Sequence, residues 1–130
     1  VEGSPFKFYN GNVTTLLHSL KEGADGFSGV SANFYPWLHV WLVANAASQP
    51  EKAAALQRFL SVAEMTVKNK YPSSAKLYLR LNHAIPASHG KRAGGGAPGE
   101  GGGPAWVEEE LTRLRFLHDV AMEAAAAAGA

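Results

Sequence analysis

The chain has 130 residues, of which 46% are hydrophobic and 18% are charged, a composition that suits one globular domain with an apolar core. Its formal net charge of +1 argues against a nucleic-acid-binding surface, and its lack of cysteine excludes disulfides and cysteine-ligated metal sites. No stretch approaches the roughly 18 consecutive apolar residues of a membrane span, and the N-terminus lacks the pattern of a signal peptide. We therefore expect a cytoplasmic protein with no nucleic-acid partner and no membrane partner.

The N-terminal part of the chain reads as two strand–helix units. Residues 6–9 predict a short strand, Gly11 predicts a turn, and Asn12 is a good helix N-cap. The next apolar residues share helical spacing: Val13, Leu16, Leu17 and Leu20. Gly23 predicts the end of that helix, and residues 26–32 predict a second strand. Two strands joined through a helix are normally parallel and buried on both faces, so the pattern predicts an α/β fold within a larger sheet or barrel.

The sequence divides into four predicted segments. Residues 1–47 hold the two strand–helix units, the second of which ends in an apolar helix opened by a proline. Residues 48–82 predict two further helices, the first preceded by a capping box in the sequence Ser-Gln-Pro-Glu. Residues 83–104 contain the run GGGAPGEGGG, which predicts a flexible loop. Residues 105–130 predict a terminal helix with three glutamates in its first turns.

The stretch FYNGN…LLHSLKEGADGFSGVSANFYP resembles the dihydrodipicolinate synthase and N-acetylneuraminate lyase family of Schiff-base aldolases. The shared features are a glycine at the end of one strand, the triplet Ala-Asp-Gly that leads into the next strand, and the spacing of Gly26, Gly29 and Asn33 in and directly after that second strand. The segment YPSSAKLYLRL resembles part of the family's C-terminal helices. The resemblance covers roughly residues 5–82 and is specific for the superfamily but not for a substrate.

The resemblance implies a fold and an activity. It implies that the chain is the C-terminal fragment of a (β/α)8 TIM barrel, namely its last two β/α units, followed by a helical extension. It also implies a parent lyase that binds pyruvate or another 2-oxo acid as a Schiff base on a lysine. In the family, that lysine precedes the last two strands, so we expect no catalytic residue, no cofactor and no metal site in this chain. Since family members commonly form tetramers, we expect self-association through the C-terminal helices.

Four residues are expected to bind the substrate. Gly11 matches the family's glycine at the mouth of the seventh strand, where the backbone lies against the substrate, and Asn12 follows it. Ser28 and Gly29 match positions at the C-terminal end of the eighth strand that face the bound pyruvate moiety. Each position also has a purely structural interpretation, as a turn glycine, a helix cap or a small residue in a narrow interior.

Departures from the family pattern bear on the substrate. Asn12 and Val13 stand where dihydrodipicolinate synthases usually have acidic residues. Val13, Thr14 and Val30 stand where sialate lyases bind sugar hydroxyls. These differences favour a smaller or differently substituted 2-oxo acid.

Lys7 lies near the start of a strand, which is the wrong end for barrel chemistry, and we interpret it as a solvated residue.

A non-enzymatic interpretation stays open beside the aldolase. The chain could be a helical interaction module that binds a partner or itself through the apolar face from Trp37 to Val43, or a split subunit that needs an N-terminal partner chain. No pair among the five histidines has the i, i+4 spacing of a helical zinc site. The glycine-rich run follows no predicted strand. It therefore lacks the sequence context of a phosphate-binding loop, which lies between a strand and a helix.

Overall fold

The computed structural model describes residue 3, residues 5–83 and residues 104–130, with the side chains of the last segment described from residue 108 onward. In chain order the strands and α-helices are β1 (Tyr9–Asn10), α1 (Leu16–Lys21), β2 (Gly26–Phe27), α2 (Pro36–Asn45), α3 (Pro50–Lys68), α4 (Ser73–His83) and α5 (Pro104–Ala128). Two short 3-10 turns, Val13–Thr15 and Val30–Asn33, lead toward α1 and α2. Among the residues so described, no helix combines the length and the apolar character needed to cross a membrane.

Helix α3 is the centre of the fold. Proline at its first turn favours the start of the helix because that position needs no backbone N–H donor. Its buried apolar residues recur at helical spacing: Ala53, Leu56, Leu60, Ala63 and Val67. This face packs α3 against α1, α2, α5 and both 3-10 turns.

The hydrophobic core lies between the helices. Phe34 and Tyr35, just before α2, are fully buried, as are Tyr78 of α4 and Leu114 of α5. The ring centroids of Phe34 and Tyr78 are 4.9 Å apart, and those of Tyr35 and Phe59 are 5.7 Å apart, both with tilted rings. Such aromatic pairs add to the burial energy, and here they join the segment before α2 to α4 and to α3.

The two strands form a small parallel sheet. Tyr9 pairs with Gly26 and Asn10 pairs with Phe27, and α1 forms the connection between the strands. An isolated two-stranded sheet is marginally stable in water. Contacts from α1 and α2 to β2 therefore supply much of what holds this sheet in place.

The expected fold class, an α/β fragment of a TIM barrel built from its last two β/α units, is wrong. The described residues form a helix-dominated domain in which each strand has only two residues. The predicted second strand, residues 26–32, stops at Phe27 because its glycines and serines have little strand preference, and Val30–Asn33 turns into a 3-10 helix. The apolar surface is buried by helix faces rather than by a sheet.

The predicted segments map onto the helices as follows. The segment 48–82 contains α3 and nearly all of α4, which ends at His83. The capping box does not form, because the N-cap of α3 is Gln49, which makes no side-chain capping bond. The loop predicted over residues 83–104 lies almost entirely outside the described residues. Helix α5 contacts both α3 and α4, so the terminal helix belongs to the same core.

Candidate functional site

The carboxyl ends of β1 and β2 bring the four predicted site residues together. The backbone N–H of Ser28 donates to the carbonyl oxygen of Asn10 over 2.9 Å. A Cβ atom added to Gly29 would lie 2.9 Å from the carbonyl oxygen of Gly11, so the two glycine backbones approach closely. Gly11, Asn12 and Ser28 are exposed, and Gly29 is half-buried. The crevice outside the carboxyl ends of parallel strands is the usual ligand position in α/β sheets.

Asn10 and Asn12 fix the turn after β1. The side-chain oxygen of Asn10 accepts from the N–H of Asn12 over 2.7 Å, and its Nδ2 donates to Thr15 Oγ1 and Ser19 Oγ. Asn12 Oδ1 accepts from the backbone N–H and from the hydroxyl of Thr14, at 3.1 and 2.7 Å, which confirms the predicted N-cap. Because Asn12 Oδ1 is already used in this way, its Nδ2 group is what the side chain can offer a ligand.

Gln57 of α3 anchors the segment that follows this turn. Its Oε1 accepts from the N–H of Leu17 over 2.7 Å, and its Nε2 donates to the carbonyl oxygen of Val13 over 2.7 Å and to Ser61 Oγ over 2.9 Å. One side-chain amide thus joins the start of α1 to the central helix. Sequence reasoning missed this role, since an isolated glutamine beside an apolar helix face carries no distinctive signal.

A buried Ser–His pair holds the loop after β2. His39 Nδ1 lies 3.1 Å from the carbonyl oxygen of Tyr35, and its Nε2 lies 3.0 Å from Ser31 Oγ. Because a carbonyl oxygen can only accept, we assign the proton to Nδ1, and Nε2 then accepts from the Ser31 hydroxyl. The imidazole stacks against the rings of Phe27 and Tyr35, with centroid distances of 4.6 and 5.7 Å.

Burial sets the chemistry of this pair. Burial of the imidazole lowers the pKa of His39 to about 4, against a weaker opposing effect of its hydrogen bond to Tyr35. His39 is therefore neutral at pH 7, and the hydroxyl of Ser31 is fully buried and not accessible to a substrate. Ser31 follows Gly29 by two residues, and the pair therefore positions the loop of the candidate site. Sequence reasoning gave His39 no role at this site, because the contact depends on how α2 packs.

Lys7 is unsuited to be a Schiff-base nucleophile. Its Nζ lies 2.9 Å from Asp25 Oδ1, and Asp25 Oδ2 accepts from the N–H of Phe8 over 2.8 Å. This hydrogen bond, together with Lys7, holds the pKa of Asp25 below its ordinary value, and the Asp25 carboxylate raises the pKa of Lys7. A nucleophilic lysine needs the opposite shift. Within the part of the chain that the structure describes, no group of three or more histidines and acidic residues could hold a metal ion.

An open apolar cavity of about 350 Å³ lies between the sheet and α2. It is lined by residues of both strands, among them Tyr9 and Phe27, and by His39, Val40 and Val43 of α2. Leu38, His39 and Leu42 of α2 point into the core, whereas Val40 and Val43 are exposed. Only part of the apolar face predicted from Trp37 to Val43 is therefore accessible.

Replacing Gly29 by alanine is expected to lower the free energy of unfolding by about 1–3 kcal/mol. The added Cβ would lie 2.3 Å from Cζ of Phe27 and 2.9 Å from the carbonyl oxygen of Gly11. Gly11→Ala is the matched control, because its Cβ would lie 3.5 Å from the carbonyl oxygen of Ser28, an ordinary contact. Urea unfolding of both variants measures the difference, and equal losses would contradict the close approach of the two loops.

Comparison of the chain with family models, with curated proteins and with solved structures finds no match. The resemblance to the lyase family therefore rests on the residues of the sequence that carry it.

Proposed function

We propose that this chain provides one side of a 2-oxo acid site in a pyruvate-type, Schiff-base-forming lyase or aldolase. The observation that supports this most is the meeting of Gly11, Asn12, Ser28 and Gly29 at the shared carboxyl end of two parallel strands. The sequence resemblance places substrate contacts at the same four positions. A cytoplasmic location belongs to the proposal and fits the absence of cysteine.

The chemistry of these four residues suits a small carboxylate. A 2-oxo acid presents carboxylate and keto oxygens, which accept hydrogen bonds, and Ser28 and Asn12 offer a hydroxyl and an amide donor. Glycines allow a ligand to approach the backbone closely. None of the four residues is basic, so we expect the chain alone to bind pyruvate with a Kd of about 1 mM or weaker.

In this proposal, the lysine that forms the Schiff base does not belong to this chain. Schiff-base formation joins a lysine amine to the keto carbon of the 2-oxo acid and releases water. Lys7 is held as an ammonium group by Asp25 and follows no strand end, so the proposal assigns the reacting lysine to a polypeptide segment outside this chain. The contribution of this chain is to bind and orient the 2-oxo acid, not to react with it.

A pyruvate titration followed by amide NMR spectra tests this proposal. We expect shifts confined to residues 10–12 and 28–30, and weaker shifts with lactate, which lacks the keto oxygen. Ser28→Ala should weaken pyruvate binding about two- to tenfold through the loss of one hydrogen bond. Ser48→Ala, an exposed serine outside the site, should leave the affinity unchanged. Equal affinities of the two variants, or shifts located elsewhere, would contradict the proposal.

Borohydride reduction in the presence of pyruvate tests the assignment of the lysine separately. We expect the intact mass of the chain to stay unchanged after reduction. A stoichiometric mass increase would show that a lysine of this chain is the nucleophile, which would overturn the division of roles proposed above.

A second candidate function is a non-catalytic interaction module. It is favoured by the exposed aromatic and aliphatic side chains beside the sheet, where Phe8, Tyr9 and Val40 are 59%, 54% and 68% exposed. In the described residues, neither outer edge of the two-stranded sheet carries a further strand, so an added strand could pair there. This function predicts no response to pyruvate, and the titration therefore separates it from the lyase.

A further inference from the structure

A groove between α3 and α5 forms a second apolar surface, independent of the proposed 2-oxo acid site. We call it the α3–α5 groove; its volume is about 300 Å³, and its lining includes Phe59, Val62, Thr66, Phe116, Leu117 and Val120. Val62 and Phe116 are 74% and 65% exposed, and Met65 beside them is 82% exposed. Exposed side chains of this size normally belong to a contact surface when they are contiguous.

The groove is built into the fold. Arg113 of α5 donates from Nη1 to the carbonyl oxygen of Thr66 over 2.6 Å, and its guanidinium also pairs with Glu110 on the same helix. At the other end, Lys52 of α3 lies beside Ala128 of α5, so the two helices run antiparallel. The floor of the groove contains Ala63 of α3 and Leu117 of α5, which are both buried.

The size of the surface matches one side of a protein interface. Val62, Met65, Phe116 and Val120 are 74%, 82%, 65% and 46% exposed, which leaves an apolar patch on the order of a few hundred Å². A standard interface buries about 800 Å² per partner, of which about 60% is apolar. The exposed apolar area thus corresponds to the apolar part of one standard interface.

One positive and one negative residue near the same end of the groove make this surface complementary to itself, which favours a second copy of the chain as the partner. Arg58 is exposed on α3 four residues before Val62, and Glu123 is exposed on α5 three residues after Val120, so each lies one helical turn from a residue that lines the groove. Since the helices are antiparallel, these two residues lie near the same end of the groove. A two-fold axis parallel to the helices would place α3 of one copy over α5 of the other, with Arg58 opposite Glu123 of the partner subunit. By symmetry this pair occurs twice.

We propose that the chain forms a homodimer in which two α3–α5 grooves pack face to face about such an axis. The 2-oxo acid site involves none of these residues, so the dimer and the proposed function can fail separately.

Analytical ultracentrifugation of the chain over a range of concentrations tests the dimer. We expect a concentration-dependent monomer–dimer equilibrium, and Phe116→Glu should weaken it at least about tenfold because it places a charge in the apolar centre. Met122→Glu is the matched control, since Met122 is half-exposed on α5 but does not line the groove. A wild-type chain that stays monomeric throughout, or equal effects of the two variants, would overturn the proposal.

Charge reversal tests the partner and the symmetry without touching the apolar surface. Arg58→Glu and Glu123→Arg should each weaken dimerisation, because each would place like charges opposite one another across the axis. The double variant R58E/E123R should restore the affinity to near that of the wild type, with circular dichroism showing that all variants fold. A double variant that binds itself no better than the single variants would contradict the proposed pairing.

Discussion

Replacing Leu60 by alanine is expected to lower the free energy of unfolding by about 2–5 kcal/mol. Leu60 is fully buried on α3, the helix that packs against most other elements. Alanine is an excellent helix former, so the loss arises from the cavity left in the core rather than from the helix itself. The free energy from urea unfolding, monitored by circular dichroism, measures this loss.

Leu81→Ala is the control for Leu60→Ala. Leu81 also lies in a helix, α4, but it is 37% exposed, so its truncation removes less buried surface. We expect the loss to be well below that of Leu60→Ala. Equal losses for the two variants would contradict a core organised around α3, and with it the helix-dominated fold.

Acidification is expected to remove about 3 kcal/mol of stability through His39 alone. The pKa of His39 falls from 6.5 to about 4 on burial. Above pH 6.5 the imidazole is neutral in both the folded and the unfolded chain and has no effect. Between pH 6.5 and about 4 the unfolded chain binds a proton that the folded chain excludes, so stability falls over this interval and then levels off.

The variant His39→Gln isolates this effect. An amide at this position can still hydrogen-bond but does not titrate, so the loss of stability between pH 6.5 and 4 should be smaller than in the wild type. Ser48→Ala, at an exposed position with no titrating group, should keep the wild-type pH dependence. Asp25, whose pKa is lowered from 3.8, adds a loss at more acidic pH that is common to all variants. An unchanged pH profile in His39→Gln would contradict the buried neutral imidazole.

The helices were the part of the fold that sequence periodicity could predict. Two helices were predicted in residues 48–82, and the structure has α3 and α4 there, with α4 ending one residue later at His83. The apolar spacing after Asn12 and the N-cap itself were also correct. In these segments local propensity, capping and the apolar face all favour the same structure, so tertiary packing does not override them.

The second strand was predicted to be longer than it is in the structure, and the reason is physical. Residues 26–32 are rich in glycine and serine, and their extended conformation depends on a neighbouring strand rather than on their own preference. Only Gly26 and Phe27 gain such a neighbour in β1, and the backbone then turns at Val30. Similarity to a barrel family could not reveal where that pairing ends.

The position of the candidate site could be predicted from the sequence, but the hydrogen bonds that hold the site in place could not. Parallel strands place their carboxyl ends at one edge, so the nearness of Gly11 and Gly29 follows from the strand–helix–strand pattern. The supporting contacts were not predictable, because the hydrogen bonds of Gln57 span 40 and 44 residues and the Ser31–His39 pair depends on the packing of α2. Buried polar pairs of this kind are set by tertiary structure alone.

The most direct test of the central proposal is the map of amide shifts when the wild-type chain is saturated with pyruvate. We predict that the shifts cluster at residues 10–12 and 28–30, at the carboxyl ends of β1 and β2, and that Ser28→Ala reduces them. Saturating pyruvate that leaves these amides unmoved, or that shifts residues along the α3–α5 groove instead, would contradict a 2-oxo acid site in this chain.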